Sequence, residues 1–170
     1  MNWSSTLLTA ALLFPTIGLA QNPFDSLSKA AADAGKGEVE KKVNEKLLQE
    51  ARKNQCSFKS GTAELAPGCD TKLKKLTSAL VDAKRQLDSA GVHAYKFEVS
   101  GHTDSSGDAA KNKVLSEQRA QTIVNELVGR GIGKGDIIAV GRGSEAMLVK
   151  PDDTAAKKQK NRRYEIRVRI

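Results

Sequence analysis

The sequence predicts a two-layer α/β (α+β) domain, in which a mixed sheet carries helices on one of its faces. Segments with strand period and segments with helical period follow one another in the order β-α-β-α-β-β. The chain has 170 residues, enough for one domain with extensions. Hydrophobic residues make up 39% of the chain and aromatic residues 4%, so the core is expected to be mainly aliphatic.

The first half of this domain is predicted from three segments. A brief strand is expected around residues 56–58. After Asp70, apolar residues recur at helical spacing, and Gly91 follows as a C-terminal cap; they are Leu73, Leu76, Leu80, Ala83 and Leu87. The next segment alternates, with Tyr95, Phe97 and Val99 on one face, which predicts a half-buried strand.

The second half supplies one more helix and two strands. The helix carries Ala120, Ile123, Val124 and Leu127 and ends in a glycine-rich turn, residues 129–135. Residues 136–141 are expected to form a buried strand. In the final segment, Tyr164, Ile166 and Val168 alternate with charged residues. Helices are therefore expected on the apolar face of the sheet, with the charged face open to solvent.

The first twenty residues are uncharged and contain an apolar run that ends at Phe14, followed by small residues up to Ala20. This pattern is typical of a secretory signal peptide cleaved after Ala20. An uncleaved membrane anchor is the alternative, but Pro15 interrupts the run well short of the roughly 20 residues that a spanning helix needs. The formal net charge of +8 favours an anionic partner, and export makes nucleic acid the least suitable one.

Residues 21–54 are rich in lysine and are expected to form an amphipathic helix, with Val39, Val43 and Leu47 four residues apart. Gly35 and Gly37 are expected to interrupt it. The segment is interpreted either as a linker or as a partner-binding element, which would hold an outer-membrane protein or form a homodimer. The domain proper is placed at residues 55–170.

Two cysteines, Cys56 and Cys69, occur in a chain that is expected to be exported to a compartment where disulfides persist. A disulfide between them is predicted, with a pair of buried free thiols as the alternative. No metal site or other cofactor is expected, because two cysteines and two distant histidines are too few ligands.

The segment from Gly101 to Ala120 is the candidate functional site. Arg119 precedes Ile123 by four residues and so lies on the apolar stripe of its helix, where a charge requires a partner. Asp104, at the end of the preceding strand, is the expected partner. A carboxylate beside a guanidinium suits a zwitterion, which offers an ammonium and a carboxylate. A salt bridge that only fixes the loop would explain the same two residues.

This segment resembles the signature of the OmpA-like C-terminal domain, a family that includes peptidoglycan-associated lipoproteins and flagellar stator proteins. The matching positions are Gly101, His102, Thr103, Asp104, Gly107, Asn112, Leu115, Ser116, Arg119 and Ala120. The family's N-R-R-x-E-I ending is matched from Asn161. The similarity covers roughly residues 55–170.

The resemblance implies non-covalent binding of peptidoglycan through the diaminopimelate residue of the stem peptide, anchoring the outer envelope or a partner protein to the cell wall. It implies that Asp104 binds the diaminopimelate ammonium and Arg119 its carboxylate. Thr103, Asn112 and Leu115 would line the pocket, and Arg162 would contact the stem from the far wall. Arg162 is preferred to Arg163 because it shares the face of Tyr164. The expected location is the periplasm, at the cell wall and outer membrane.

Parts of the sequence also suggest two functions other than wall binding. An enzyme would use His102 as a general base beside Asp104, but no nucleophile and no second acid accompany them, so the protein is not expected to be an enzyme. His102 is instead expected to be structural and to hydrogen-bond a neighbouring backbone group. The second alternative is a periplasmic adaptor that holds an outer-membrane protein through residues 38–51, with wall binding secondary.

Overall fold

The computed structural model describes residues 23–170, with side chains described from residue 35 onward. The signal peptide predicted for residues 1–20 lies outside the described residues. Seven elements follow in chain order: α1 (Pro23–Lys53), α2 (Asp70–Ser89), β1 (Lys96–Gly101), α3 (Ala109–Val128), β2 (Ile137–Gly141), α4 (Ala155–Asn161) and β3 (Tyr164–Arg169). None of the helices in this part of the chain has the length and apolar character needed to cross a membrane.

The sheet is mixed, as predicted, but it has three strands in the order β2-β1-β3. Strand β1 pairs in parallel with β2 and antiparallel with β3, so that Val99 lies between Ala139 and Ile166. The prediction of a strand around residues 56–58 is wrong, because Phe58 forms only an isolated bridge with Leu65. The backbone turns back at once, with Thr62 N donating to the Lys59 carbonyl at 3.1 Å, and this segment adds no strand to the sheet.

One face of the sheet holds the core, as the alternation predicts. Five side chains on this face are at most 1% exposed: Phe97, Val99, Tyr164, Ile166 and Val168. Helix α3 packs against β1 and β2, α1 packs against β3, and α2 packs against α1. The predicted stripe of α2 is buried as well, and Gly91 follows the helix with a φ of +72°, a conformation that glycine adopts without strain.

The opposite face carries ion pairs in place of an apolar layer. Glu98 accepts hydrogen bonds from Arg142 at 3.0 Å and Arg169 at 3.4 Å, and these two cations hold the pKa of Glu98 below its usual range although burial would raise it. Strand β2 is less buried than predicted, since Ile138 is 43% exposed. An edge strand with one uncovered face accounts for this exposure.

Helix α1 is continuous through Gly35 and Gly37, so the predicted break is wrong. A Cβ built on either glycine meets nothing within 4 Å, which places both on the open side of the helix. Val43, Leu47 and Ala51 are at most 2% exposed and belong to the core. This packing stabilises the helix despite the glycines, and it makes the second half of α1 part of the domain core.

Two amide side chains close the outer edge of β3. Asn44 donates to the Val168 carbonyl at 3.2 Å and accepts from Val168 N at 2.7 Å. Gln55 does the same at Tyr164, donating at 2.7 Å and accepting at 3.1 Å. Each amide thus presents the donor and acceptor that a neighbouring strand would present, and the edge is protected without a fourth strand.

Helix α3 approaches the sheet unusually closely at two paired glycines, Gly101 of β1 and Gly141 of β2. A Cβ on Gly101 would overlap the backbone carbonyl of Ser116 in α3. The Ser116 hydroxyl accepts from Gly143 N at 2.9 Å and so joins the helix to the chain just beyond β2. Only glycine allows this approach, and it sets the position of α3 relative to the end of β1.

We expect Gly101→Ala to destabilise the fold by about 2 kcal/mol or more, because the new methyl group overlaps backbone that cannot rotate away. Urea unfolding followed by circular dichroism measures the change. Gly135→Ala is the matched control, since a Cβ there meets nothing within 4 Å. Equal unfolding midpoints for the two variants would show that α3 is not held at Gly101.

Candidate functional site

A cavity of about 420 Å³ lies where β1 ends and β3 begins. Segment 55–61 forms one wall, α3 contributes Arg119, and the junction of α4 and β3 forms the far wall. The lining residues are Gln55, Cys56, Ser57, Phe58, Ser60, Gly61, His102, Arg119, Gln159, Arg162 and Arg163. Three guanidinium groups and no carboxylate are among them, so the cavity is suited to an anionic group.

Arg119 is held in place by neutral groups. Its Nε donates to the Thr62 carbonyl at 2.9 Å, and its guanidinium carbon lies 5.1 Å from the centre of the Phe58 ring. Burial and the nearby charge of Arg162 lower the pKa of Arg119 from its ordinary value. Within residues 35–170, no carboxylate forms an ion pair with it. The positive charge is therefore fixed in direction and available to a ligand.

Asp104 is buried, and its pair is Arg162, not Arg119. One carboxylate oxygen accepts from Ser106 N at 2.9 Å and the other from Arg162 at 2.7 Å. Burial alone would raise the pKa of Asp104, but the Ser106 and Arg162 hydrogen bonds outweigh burial and lower it. The predicted pairing of Asp104 with Arg119 is wrong because Arg162 reaches Asp104 from the end of α4.

Arg162 and Arg163 have different surroundings. Arg162 contacts Asp104 and Gln159, and its side chain is 39% exposed. The Arg163 side chain is 7% exposed and is held by Glu165 at 2.8 Å. The charge of Arg162 therefore lies beside Asp104, whereas that of Arg163 is compensated within β3.

None of the three remaining predicted site residues lines the cavity. Thr103 is 4% exposed, and its hydroxyl has no hydrogen-bond partner among the described residues. Asn112 and Leu115 line a shallow groove on the surface of α3, and this groove shares Gly61 with the cavity. Asn112 donates to the Ser106 carbonyl at 2.8 Å and so supports the turn after Asp104. The cavity and the groove are thus neighbours, and Asn112 and Leu115 do not line the cavity.

Two residues that the sequence did not single out fix this turn. Asp152 accepts hydrogen bonds from the amide of Ser105 at 2.9 Å, from the Ser105 hydroxyl and from Asn161 at 3.1 Å. The Ser105 hydrogen bonds, first from its side chain and then from its backbone, lower the pKa of Asp152 to about 2. Asn161 also accepts from the amides of Leu148 and Val149. In the sequence, Asn161 was marked only as the first residue of the N-R-R-x-E-I ending, and nothing marked Asp152.

The predicted disulfide is wrong, because Cys56 and Cys69 are buried free thiols. The Cys56 sulfur approaches the backbone carbonyl of Cys69, at 3.9 Å from its oxygen. Burial and the neighbouring Cys69 raise the pKa of Cys56 to about 12. Cys56 is therefore a protonated thiol in the cavity wall, which is a poor nucleophile.

His102 is not placed as a general base. It is 4% exposed, and neither ring nitrogen has a hydrogen-bond partner among the described residues, so the expected bond to neighbouring backbone is absent. Burial, followed by the charge of Arg163, lowers the pKa of His102 to about 4. The same part of the chain contains no cluster of three or more potential metal-ligating side chains.

Comparison with known proteins gives a family and several relatives. The OmpA family matches residues 57–162. Outer membrane porin F of Pseudomonas fluorescens is 43% identical over 88 residues, 51% of this chain and 27% of the relative. The probable lipoprotein YiaD of Escherichia coli K12 is 33% identical over 114 residues, 66% of this chain and 47% of the relative. The peptidoglycan-binding protein ArfA of Mycobacterium tuberculosis is 39% identical over 71 residues, 42% of this chain and 22% of the relative. This chain spans less than half the length of each relative.

Solved structures show the same fold. The peptidoglycan-associated lipoprotein of Burkholderia pseudomallei superposes with a TM-score of 0.55 at 19% identity, covering 68% of this chain and 89% of that chain. A putative MotB-like protein of Desulfovibrio vulgaris superposes with a TM-score of 0.56 at 18% identity, covering 84% and 98%. At these identities the likeness concerns the fold alone.

We expect Asp152→Ala to release the turn after Asp104, because it removes the acceptor of the Ser105 amide. Hydrogen exchange of that amide should become faster. In the unaltered protein the lowered pKa of Asp152 means that its contribution is present above the usual carboxyl range, near 4, and is lost as the pH falls towards 2. Protection of Ser105 should fall over the same interval.

The neighbouring Asp153 provides the control, since it is exposed and its ion-pair partner among residues 35–170 is Lys157, at 2.7 Å. Asp153→Ala should leave exchange at Ser105 unchanged. Equal exchange rates at Ser105 in the unaltered protein and in Asp152→Ala would contradict the role of Asp152.

Proposed function

The chain belongs to the OmpA family, and on that premise we propose that it binds peptidoglycan non-covalently and anchors the envelope, or a partner protein, to the cell wall. The observation that supports this function best is a cavity lined by Arg119 and Arg162, in which Arg119 is fixed by Thr62 and Arg162 is hydrogen-bonded to Asp104, a carboxylate that does not itself line the cavity. Relatives named for peptidoglycan association share the family or the fold. The binding would be non-catalytic, and the location would be the periplasm.

The ligand group proposed for the cavity is the free end of diaminopimelate in a stem peptide. This end carries an ammonium and a carboxylate on one carbon. Asp104 is ionised, and each of its oxygens has a lone pair left after bonding Ser106 or Arg162, so it can accept from the ammonium without releasing either. Arg119 can bind the carboxylate through the terminal nitrogens that its bond to Thr62 leaves available.

Arg162 would act on both halves of the ligand. Its hydrogen bond at 2.7 Å holds Asp104 in place, and its guanidinium lines the same cavity as Arg119. Thr103 has a buried hydroxyl without a partner among the described residues, directly before Asp104. Asn112 and Leu115 would contact parts of the stem peptide that extend beyond the cavity, into the groove beside Gly61.

In the adaptor alternative, the apolar stripe of residues 38–51 would have to be free to bind an outer-membrane protein. Val43, Leu47 and Ala51 of that stripe are at most 2% exposed and pack in the core. An outer-membrane partner, or a second copy of the chain, would therefore have to bind other parts of α1. Wall binding is accordingly the function that we propose, and a protein partner would be additional to it.

We expect the protein without residues 1–20 to co-sediment with sacculi of the diaminopimelate type, and Asp104→Ala or Arg119→Ala to remove most of this binding. Removing one member of a desolvated charge pair costs about 2 kcal/mol or more, which is a roughly 30-fold loss of affinity. Arg119→Lys should recover only part of it, because an ammonium lacks the two-pronged geometry of guanidinium.

Asp82 and Arg85 on α2 provide controls of the same residue types, since both are exposed and pair with each other at 3.3 Å. Asp82→Ala and Arg85→Ala should sediment like the unaltered protein. If folded Asp104→Ala and Arg119→Ala also sediment like it, the proposed site is not the binding site.

A further inference from the structure

His102 lines the cavity and has no role in the binding scheme above. It follows β1 directly, and its backbone amide donates to the Arg163 carbonyl at 2.9 Å. Its ring lines the cavity together with Arg119 and Arg162. The side chain is 4% exposed, and neither Nδ1 nor Nε2 has a hydrogen-bond partner among the described residues.

A buried imidazole without partners is uncommon, since most buried polar side-chain atoms in folded proteins form at least one hydrogen bond. The free energy lost by burying such a group is recovered when a partner reaches it. The cavity that His102 lines is also the cavity that a ligand is proposed to enter. A ligand group placed there could supply the missing partner.

The charges around His102 decide which ligand group suits it. Arg163, Arg142 and Arg167 raise the electrostatic cost of protonating the ring, whereas Glu165 lowers it. Arg119 and Arg162 line the same cavity as His102. Cys56, the other titratable group in the lining, is a neutral thiol. The surroundings are thus cationic on balance, and a carboxylate fits them best.

We propose that His102 is a ligand-contacting residue of this cavity and donates an N–H to the same ligand carboxylate that Arg119 binds. This inference rests on the proposed function, because it assigns one more contact within that site. A carboxylate against the ring would also stabilise the imidazolium, so that the ring takes up a proton when ligand binds at mildly acidic pH. A histidine with a purely structural role would not couple its protonation to binding.

Protonation of His102 and ligand binding should favour each other, and the size of this coupling follows from the expected pKa shift. An adjacent opposite charge shifts a pKa by about 1–3 units. In the free protein the pKa of His102 is about 4; a rise of two units on binding makes affinity about tenfold higher at pH 5 than at pH 7. The lowered pKa of Asp104 keeps that carboxylate ionised over this interval, so it contributes no opposing change.

Calorimetric titration with a soluble stem peptide ending in meso-diaminopimelate, between pH 5 and 7, tests the inference. Unaltered protein should bind more tightly as the pH falls and should take up protons from the buffer. His102→Gln should bind with an affinity that no longer changes with pH. His93→Gln should keep the pH dependence, because His93 is exposed and lies near Asp88, beyond the opposite end of β1.

The outcomes separate this inference from the proposed function. A His102→Gln variant that keeps the full pH dependence overturns the role of His102 alone. Absence of binding by the unaltered protein at every pH overturns the proposed function, and the inference with it. Nitrogen-15 spectra of the His102 ring need no variant: the ligand should raise the pKa of His102, and an unchanged His102 pKa also overturns the inference.

Discussion

The close packing of α3 on β1 at Gly101 is the constraint on which the site depends. Gly101 is followed directly by His102, Thr103 and Asp104, while Ser116, which it contacts, lies about one helical turn before Arg119. The two halves of the site are therefore related by a backbone-to-backbone contact that leaves no room for a side chain. A larger residue at Gly101 would move the helix away from the strand and separate Arg119 from Asp104.

Around this contact, the charged groups are held by hydrogen bonds before any ligand arrives. Asp104 is fixed by Ser106 and Arg162, and Arg119 by Thr62 and the Phe58 ring. The loop that contains Asp152 holds the turn between Asp104 and α3 in the same way. Groups that are already oriented lose little conformational entropy on binding, so such a site can hold a small zwitterion without a large interface.

Much of the fold could be predicted from the sequence, because α2, β1, α3 and β3 each carry a clear period. The edge of β3 could not, since the amides of Asn44 and Gln55 that close it are 124 and 109 residues away along the chain from the residues that they bind. The helical spacing of α3 predicted that Arg119 lies on the inner side of the helix, and Arg119 does line the cavity. The predicted pairing of Arg119 with Asp104 was wrong, because Arg162 reaches Asp104 from a separate element. The disulfide was predicted because the chain is expected to be exported and its two cysteines are close in sequence. Neither observation determines the direction in which a cysteine sulfur points.

We propose that two residues hold one ligand: Asp104 binds its ammonium and Arg119 its carboxylate, and Arg162 bonds Asp104 while lining the same cavity as Arg119. Calorimetric titration with two stem peptides, one with meso-diaminopimelate and one with L-lysine at the same position, tests it most directly, because lysine keeps the ammonium and lacks the carboxylate. The unaltered protein should bind the diaminopimelate peptide at least about tenfold more tightly, and Arg119→Ala should lose most of this preference. Equal affinity of the unaltered protein for both peptides would contradict the claim.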